Sequence, residues 1–224
     1  MEIFENISTE TAKKQLGVLK PPYHKPTYRF VQNIVDNASI LFKARINNVE
    51  EFKEILLFPW DDWGLSYRRE RRNIENPNML YSMRLDDIAS NYHEFKEEII
   101  QKDNQLRKEL RANGRWVDRY THTEIIDSSQ ERILRKGKYT GNLGVLLLEE
   151  NSKYYLIDGH HRLIAFMDLI NRQKLKFNDV KCIVGKFSGL KDHISSRDLF
   201  IQTGPSGYEF KSTHFNLLPK KTWE

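Results

Sequence analysis

Cysteine is almost missing from this 224-residue chain: Cys182 stands alone. An internal disulfide is therefore impossible, and metal sites built from several thiolates are excluded. A reducing cytoplasm is the expected compartment. No apolar run approaches the ~20 residues of a membrane-spanning helix, so no membrane partner is expected. The opening residues Met1-Glu2-Ile3-Phe4-Glu5 are acidic, with no basic segment leading into an apolar one, and no secretory signal is expected. Internal repeats and low-complexity tracts are also lacking.

What the chain does have is charge and enough apolar residues for a core. Hydrophobic residues make up 39% and charged residues 30%, a soluble globular balance. The formal net charge is +5, and it is unevenly placed. Residues 1–112 hold 18 Lys/Arg and 18 Asp/Glu, whereas residues 113–224 hold 18 and 13. A basic surplus confined to one half favours an anionic ligand, either a nucleotide or a nucleic-acid backbone. Ordinary solubility charge explains the same surplus equally well.

Periodicity gives a coarse map. A short helix is expected over 9–19. Pro21, Pro22 and Pro26 then force an extended segment. Phe30, Ile34, Ala38 and Leu41 recur at helical spacing, predicting a helix over 27–46, and Val49, Phe52, Ile55 and Leu56 predict another over 49–57. Trp60-Asp61-Asp62-Trp63 reads as a loop whose indoles either anchor it or stack on a ligand ring. Arg68, Arg69, Arg71 and Arg72 either form a solvated face or meet phosphates, which would make nucleic acid a partner. The longest helical pattern covers 85–112 and stops at Asn113-Gly114. Residues 121–126 alternate weakly and suggest a strand or an extended loop. Ser128-Ser129-Gln130-Glu131 suggests a capping box opening a helix that ends at Gly137. Strands are expected over 143–149, 153–157 and 180–187. Residues 1–114 thus read as a helical N-terminal extension, 115–190 as a small core, and 191–224 as a wrap or tail.

Residues 154–162, Tyr-Tyr-Leu-Ile-Asp-Gly-His-His-Arg, concentrate the chemistry. The strand breaks at Asp158-Gly159, and a helix opens at His160 with Leu163, Phe166, Met167 and Ile170 on its buried stripe. A helix start offers free N–H groups and positive dipole. Gly159 permits close backbone approach to a ligand. Arg162 can grip a phosphate with a planar fork. His160 and His161 can donate to phosphate oxygens or move a proton. Asp158 can orient a histidine, accept a hydroxyl proton or hold Mg2+. Taken singly, each has a structural explanation, a cap, a turn or a satisfied buried imidazole; five in a row describe a phosphate site. Zinc is disfavoured, since adjacent histidines diverge at a helix start and no spaced third ligand is evident.

Ile157-Asp158-Gly159-His160-His161-Arg162, with its flanking strands and helices over 117–187, resembles the motif of the ParB/sulfiredoxin superfamily. The resemblance implies an α/β (α+β) fold with a small mixed sheet. The family includes CTP-binding partition proteins, ATP-using sulfiredoxins, free serine kinases and proteins described as nucleases. Partition proteins usually carry a Gly-Glu-Arg-Arg form of the motif and a helix-turn-helix domain, which this chain lacks. Sulfiredoxins place a reactive cysteine where His160 stands. Kinase-like members use Asp-Gly-x-His-Arg, which Asp158 to Arg162 match residue for residue. By that resemblance, Gly159, His161 and Arg162 hold the phosphates of ATP or another NTP, and Asp158 sits beside the transferring group with Mg2+. An upstream glutamate serves as base, with Glu124 and Glu131 as candidates. The expectation is ATP-dependent phosphoryl transfer to a small hydroxyl compound, with catalytic Asp158, His160, His161 and Glu124. A nucleic-acid-binding protein or nuclease, and a nucleotide-sensing module without turnover, are the alternatives.

Overall fold

The computed structural model describes residues 1–19, 26–57, 84–112, 120–140 and 144–186. Six strands form one mixed sheet in the order β1-β2-β6-β4-β5-β3. They are β1 Glu2–Asn6, β2 Ile40–Ile46, β3 Leu56–Leu57, β4 Leu146–Glu150, β5 Lys153–Asp158 and β6 Val180–Lys186. The helices among the described residues are α1 Thr9–Leu16, α2 Pro26–Asn37, α3 Val49–Lys53, α4 Leu85–Ala89, α5 Tyr92–Ala112, α6 His122–Lys136 and α7 His160–Asn171.

The strand period of two sends alternate residues into two cores. Phe42, Ala44 and Ile46 of β2 join Leu147, Leu156, Val180, Cys182 and Val184 on one face, under residues of α3, α4, α6 and α7. Leu41, Leu146, Leu148, Tyr155, Ile157 and Ile183 face the other way and meet Ala12, Leu16, Val31, Ile34 and Val35 of α1 and α2. The sheet is thus covered by helices on both sides, a layer arrangement that buries both apolar faces.

The expected helical N-terminal extension is corrected by this sheet. Residues 1–114 supply β1, β2 and β3, and β2 pairs antiparallel with β6 along Ile40↔Lys186 to Ile46↔Val180. The expected helix over 27–46 ends at Asn37. Ile34, Ala38 and Leu41 share helical spacing and the second core, but Leu41 reaches it from a strand, in which Phe42, Ala44 and Ile46 enter the first core at a period of two. The expected helix over 49–57 stops at Lys53, and Leu56–Leu57 instead pairs parallel with β5. The pattern over 85–112 splits into α4 and α5. The tryptophan loop, Arg68 to Arg72 and the tail over 191–224 lie outside the described residues.

Two expectations near the motif also change. Residues 121–126 are not extended. Thr121 accepts a hydrogen bond from Glu124 N–H at 3.2 Å, and Glu124 accepts one from Thr121 N–H at 2.6 Å. This capping box opens α6 seven residues before the expected Ser128 start. The helix stops at Gly137, as expected, in a left-handed C-terminal cap with φ 64°. Nor is α7 merely amphipathic. Residues Leu163 to Leu169 are all buried, so it is the central helix of its layer. The strands of the C-terminal half agree with expectation to within a few residues.

Candidate functional site

Asp158 ends β5, and Gly159 turns the chain into α7 with φ 106°. That left-handed value suits glycine and disfavours other residues. Space excludes them as well: a Cβ at Gly159 would lie 2.8 Å from the Gly144 carbonyl oxygen. The two backbones cross there without room for a side chain. The β4–β5 register shifts between Leu146 and Leu147, at the same end of the sheet. Irregular pairing of this kind commonly re-aims a side chain beside a site.

Arg162 lies in the first turn of α7. Its guanidinium donates to the Gly144 carbonyl and approaches the Asp158 carboxylate at 3.8 Å. A guanidinium presents five N–H donors in a planar fork. Its side chain keeps 28% of its surface exposed, and that of Asp158 keeps 34%. Burial nevertheless pushes the Asp158 carboxyl above its ordinary range, against the opposing pull of Arg162, His160 and a hydrogen bond from Gly159 N–H. His160 itself is buried, with 7% exposed.

His161 reaches across to the next helix. Its Nε2 lies 2.7 Å from Nδ1 of His122, and the rings meet edge to edge and nearly coplanar, with centroids 5.0 Å apart and planes 15° apart. His122 is the first residue of α6. About two turns further along both helices, Gln130 donates to Asp168 at 2.6 Å. The two helices therefore run parallel, and both begin at the same end of the molecule. Their positive dipole ends lie at the same end, where Asp158 approaches Arg162 and His161 meets His122. On the far side, Arg107 of α5 donates to the Tyr120 carbonyl at 3.0 Å, just before the α6 cap.

Of the residues predicted from sequence, Asp158, Gly159, His160, His161 and Arg162 share this junction. Glu124 lies in the same first turn of α6 as His122, but its carboxylate is committed to the cap. It is exposed, and the Thr121 hydrogen bonds hold its carboxyl below the usual range. A carboxylate so stabilised is a poor proton acceptor. Glu131 is exposed on α6, beyond the Gln130 that meets Asp168. Cys182 is buried in β6, and burial pushes its thiol up to about 12, which leaves it unreactive.

Three contributors were not foreseen. His122 and Gly144 are the first two. The third is Tyr139, which is buried against Phe166, with ring centroids 5.1 Å apart, and whose hydroxyl has no partner among the described residues. Burial pushes its phenol up to about 12, and the charges of Arg162 and Asp158 both act on it. The Thr121-x-x-Glu124 spacing was the one available signal for His122, since it marks a helix start.

The far end of α7 carries a separate polar cluster. Asp168, 3% exposed, accepts from Gln130 and pairs with His93 at 3.2 Å and Arg172 at 3.6 Å. These contacts tie α5 and α6 to α7 and account for a buried carboxylate there.

Among the described residues no group of three or more His, Cys, Asp or Glu can hold a metal ion, and no helix is long and apolar enough to cross a membrane. Comparison of the chain with protein-family models, with curated proteins and with solved structures returned no match.

Proposed function

We propose that the junction at Asp158–Arg162 is the phosphate site of a nucleotide-dependent enzyme, one that transfers a phosphoryl group from ATP or another NTP to a small hydroxyl-bearing acceptor. The observation that carries this reading is the convergence of two parallel helix N-termini on His122, His161, Arg162 and Asp158. Backbone N–H groups, dipole ends and a guanidinium at one point favour a multiply charged anion. The resemblance of Asp158-Gly159-His160-His161-Arg162 to kinase-like members of the ParB/sulfiredoxin superfamily supports the same reading.

Roles follow from chemistry. Gly159 lets phosphate oxygens approach the backbone. Arg162 and His161 neutralise charge that spreads over the transferring group, and phosphoryl transfer needs little beyond positioning and such neutralisation. Asp158 takes the proton of the acceptor hydroxyl. Its raised pKa makes it the stronger base of the two carboxylates, so the role passes to it from Glu124. His160, being buried, supports Asp158 rather than touching phosphate. A single partly exposed carboxylate suits Mg2+ that is held largely by nucleotide phosphates. Held by those phosphates, the ion would offset their charge; a direct bond to Asp158 would lower its carboxyl pKa and replace the base role.

The test is nucleotide consumption by the purified full chain, with a mixture of small hydroxyl compounds as acceptors and with Mg2+ present. Turnover of at least one NTP is expected. A fall of about 100-fold or more is expected in Asp158→Ala, in the range for a lost general base. Turnover that survives this substitution would remove Asp158 from the mechanism.

A further inference from the structure

We infer that His122 is a positioning residue for His161: across the α6–α7 contact its Nδ1 accepts a hydrogen bond from His161 Nε2–H, so that His161 carries the single positive charge of the pair towards a bound phosphate. This rests on the phosphate-site reading above, and it concerns a residue 39 positions away from the motif.

The geometry constrains the protonation states closely. Two imidazole nitrogens 2.7 Å apart are hydrogen-bonded, so one bears a proton and the other presents a lone pair. If both rings were imidazolium, two N–H groups would face each other. The pair therefore holds at most one positive charge while the contact lasts. The rings lie 15° from coplanar, as an in-plane N–H···N hydrogen bond favours.

Which ring carries the charge depends on what surrounds each. His161 shares its helix turn with Arg162 and His160, and it follows the Asp158 carboxylate by three residues. His122 sits at the first position of α6, between Thr121 and Thr123, with the Glu124 carboxylate drawn to the Thr121 N–H. Arg107 of α5 approaches from the Tyr120 side. The two helix dipoles oppose charge on either ring. A phosphate at Gly159 and Arg162 would tip the balance, because it lies on the α7 side. His161 then becomes the imidazolium, and His122 stays neutral and accepts from it. The cap that fixes the start of α6 thereby also fixes the acceptor lone pair, which ties helix capping to the charge state of the site.

The experiment is nitrogen-15 NMR of the imidazoles in the full chain, followed from neutral to acid pH. His122→Phe keeps an aromatic ring and removes the nitrogen. His122→Asn keeps an acceptor oxygen and removes the titration. In the natural protein His122 and His161 are expected to titrate as a coupled pair, one proton entering in the ordinary histidine range and the second only at markedly lower pH. A solvent-protected imidazole N–H shared by the two rings should be visible. In His122→Phe that proton signal is lost and His161 titrates alone. In His122→Asn the signal returns without the second step. Mg·ATP binding should weaken about 10-fold in His122→Phe and recover in His122→Asn. Two rings that titrate independently in the natural protein, or a His161 titration unchanged in His122→Phe, would overturn the inference. Coupled titration without binding of any nucleotide would leave the pair intact and defeat the phosphate reading. Nucleotide binding equal in all three proteins would leave the phosphate reading intact and defeat the role given to His122.

Discussion

A side chain at position 159 has nowhere to go. The backbone there is left-handed, and the Gly144 carbonyl already occupies the space a Cβ needs. Gly137 offers a control, because it is also left-handed, at φ 64°, but a Cβ there meets nothing within 4 Å. Gly137→Ala should cost about 1 kcal/mol, the usual penalty for an incompatible φ alone. Gly159→Ala should cost roughly 2–4 kcal/mol, since steric displacement of Gly144 is added to strain. Urea unfolding of both variants measures the difference, and equal losses would mean that the crossing of the two backbones is not tight. The Asp158 carboxyl makes a second residue-level prediction. Its folded pKa is raised, chiefly by burial. Folding is therefore helped by its protonation. That help is full below the unfolded value of about 3.9 and disappears as pH rises through the folded value. At neutral pH the ionised group works against folding. Asp158→Asn, neutral throughout, should raise the urea midpoint at pH 7 and change it little near pH 3.5. A loss of stability at pH 7 would mean instead that the 3.8 Å pairing with Arg162 outweighs desolvation.

At the scale of elements, the start of α6 decides where His122 sits. Thr121→Ala removes the acceptor for Glu124 N–H and should cost about 1 kcal/mol of stability. It should also loosen the His122–His161 contact, which the shared imidazole proton would report; an unchanged signal would show that the cap is not what holds the pair. The same element shows what the sequence could and could not reveal. Asp158-Gly159 was legible because a strand followed by glycine and a buried helical stripe leaves few alternatives. The strands expected over 143–149, 153–157 and 180–187 were legible from their short apolar runs and the turn at 150–152, and are observed over 146–150, 153–158 and 180–186. Ile40–Ile46 was not, because Ile34, Ala38 and Leu41 imitate a helix across its boundary. Whether such a segment becomes a strand depends on its pairing with Val180–Lys186, far along the chain. The α6 start was encoded in Thr121-x-x-Glu124, but weak alternation over the same residues obscured it. His122 could not be paired with His161 from spacing, since their meeting requires two helices to pack in parallel. Glu124 was drawn from resemblance, and its local bond to Thr121 N–H is the physical reason it makes a weak base.

The whole molecule places this junction at one end of a sheet covered by helices on both faces. Its core is larger than the small sheet expected for residues 115–190, since β1, β2 and β3 come from the first half of the chain. That continuity gives the junction a rigid base: β5 delivers Asp158, β4 and its preceding Gly144 brace the turn, and α7 runs back through the buried layer to the Asp168 cluster. A net +5 carried by the half that contains the motif fits an anionic ligand, and fits ordinary solubility charge equally well. The central claim is that this ligand is a nucleotide bound through its phosphates, and calorimetric titration with a panel of Mg2+-bound nucleoside triphosphates tests it most directly. Saturable one-to-one binding of at least one of them is predicted, weakened about 10-fold or more in Arg162→Ala, as expected for a lost charge-assisted contact. No binding of any nucleotide, or binding that is the same in Arg162→Ala, would contradict it.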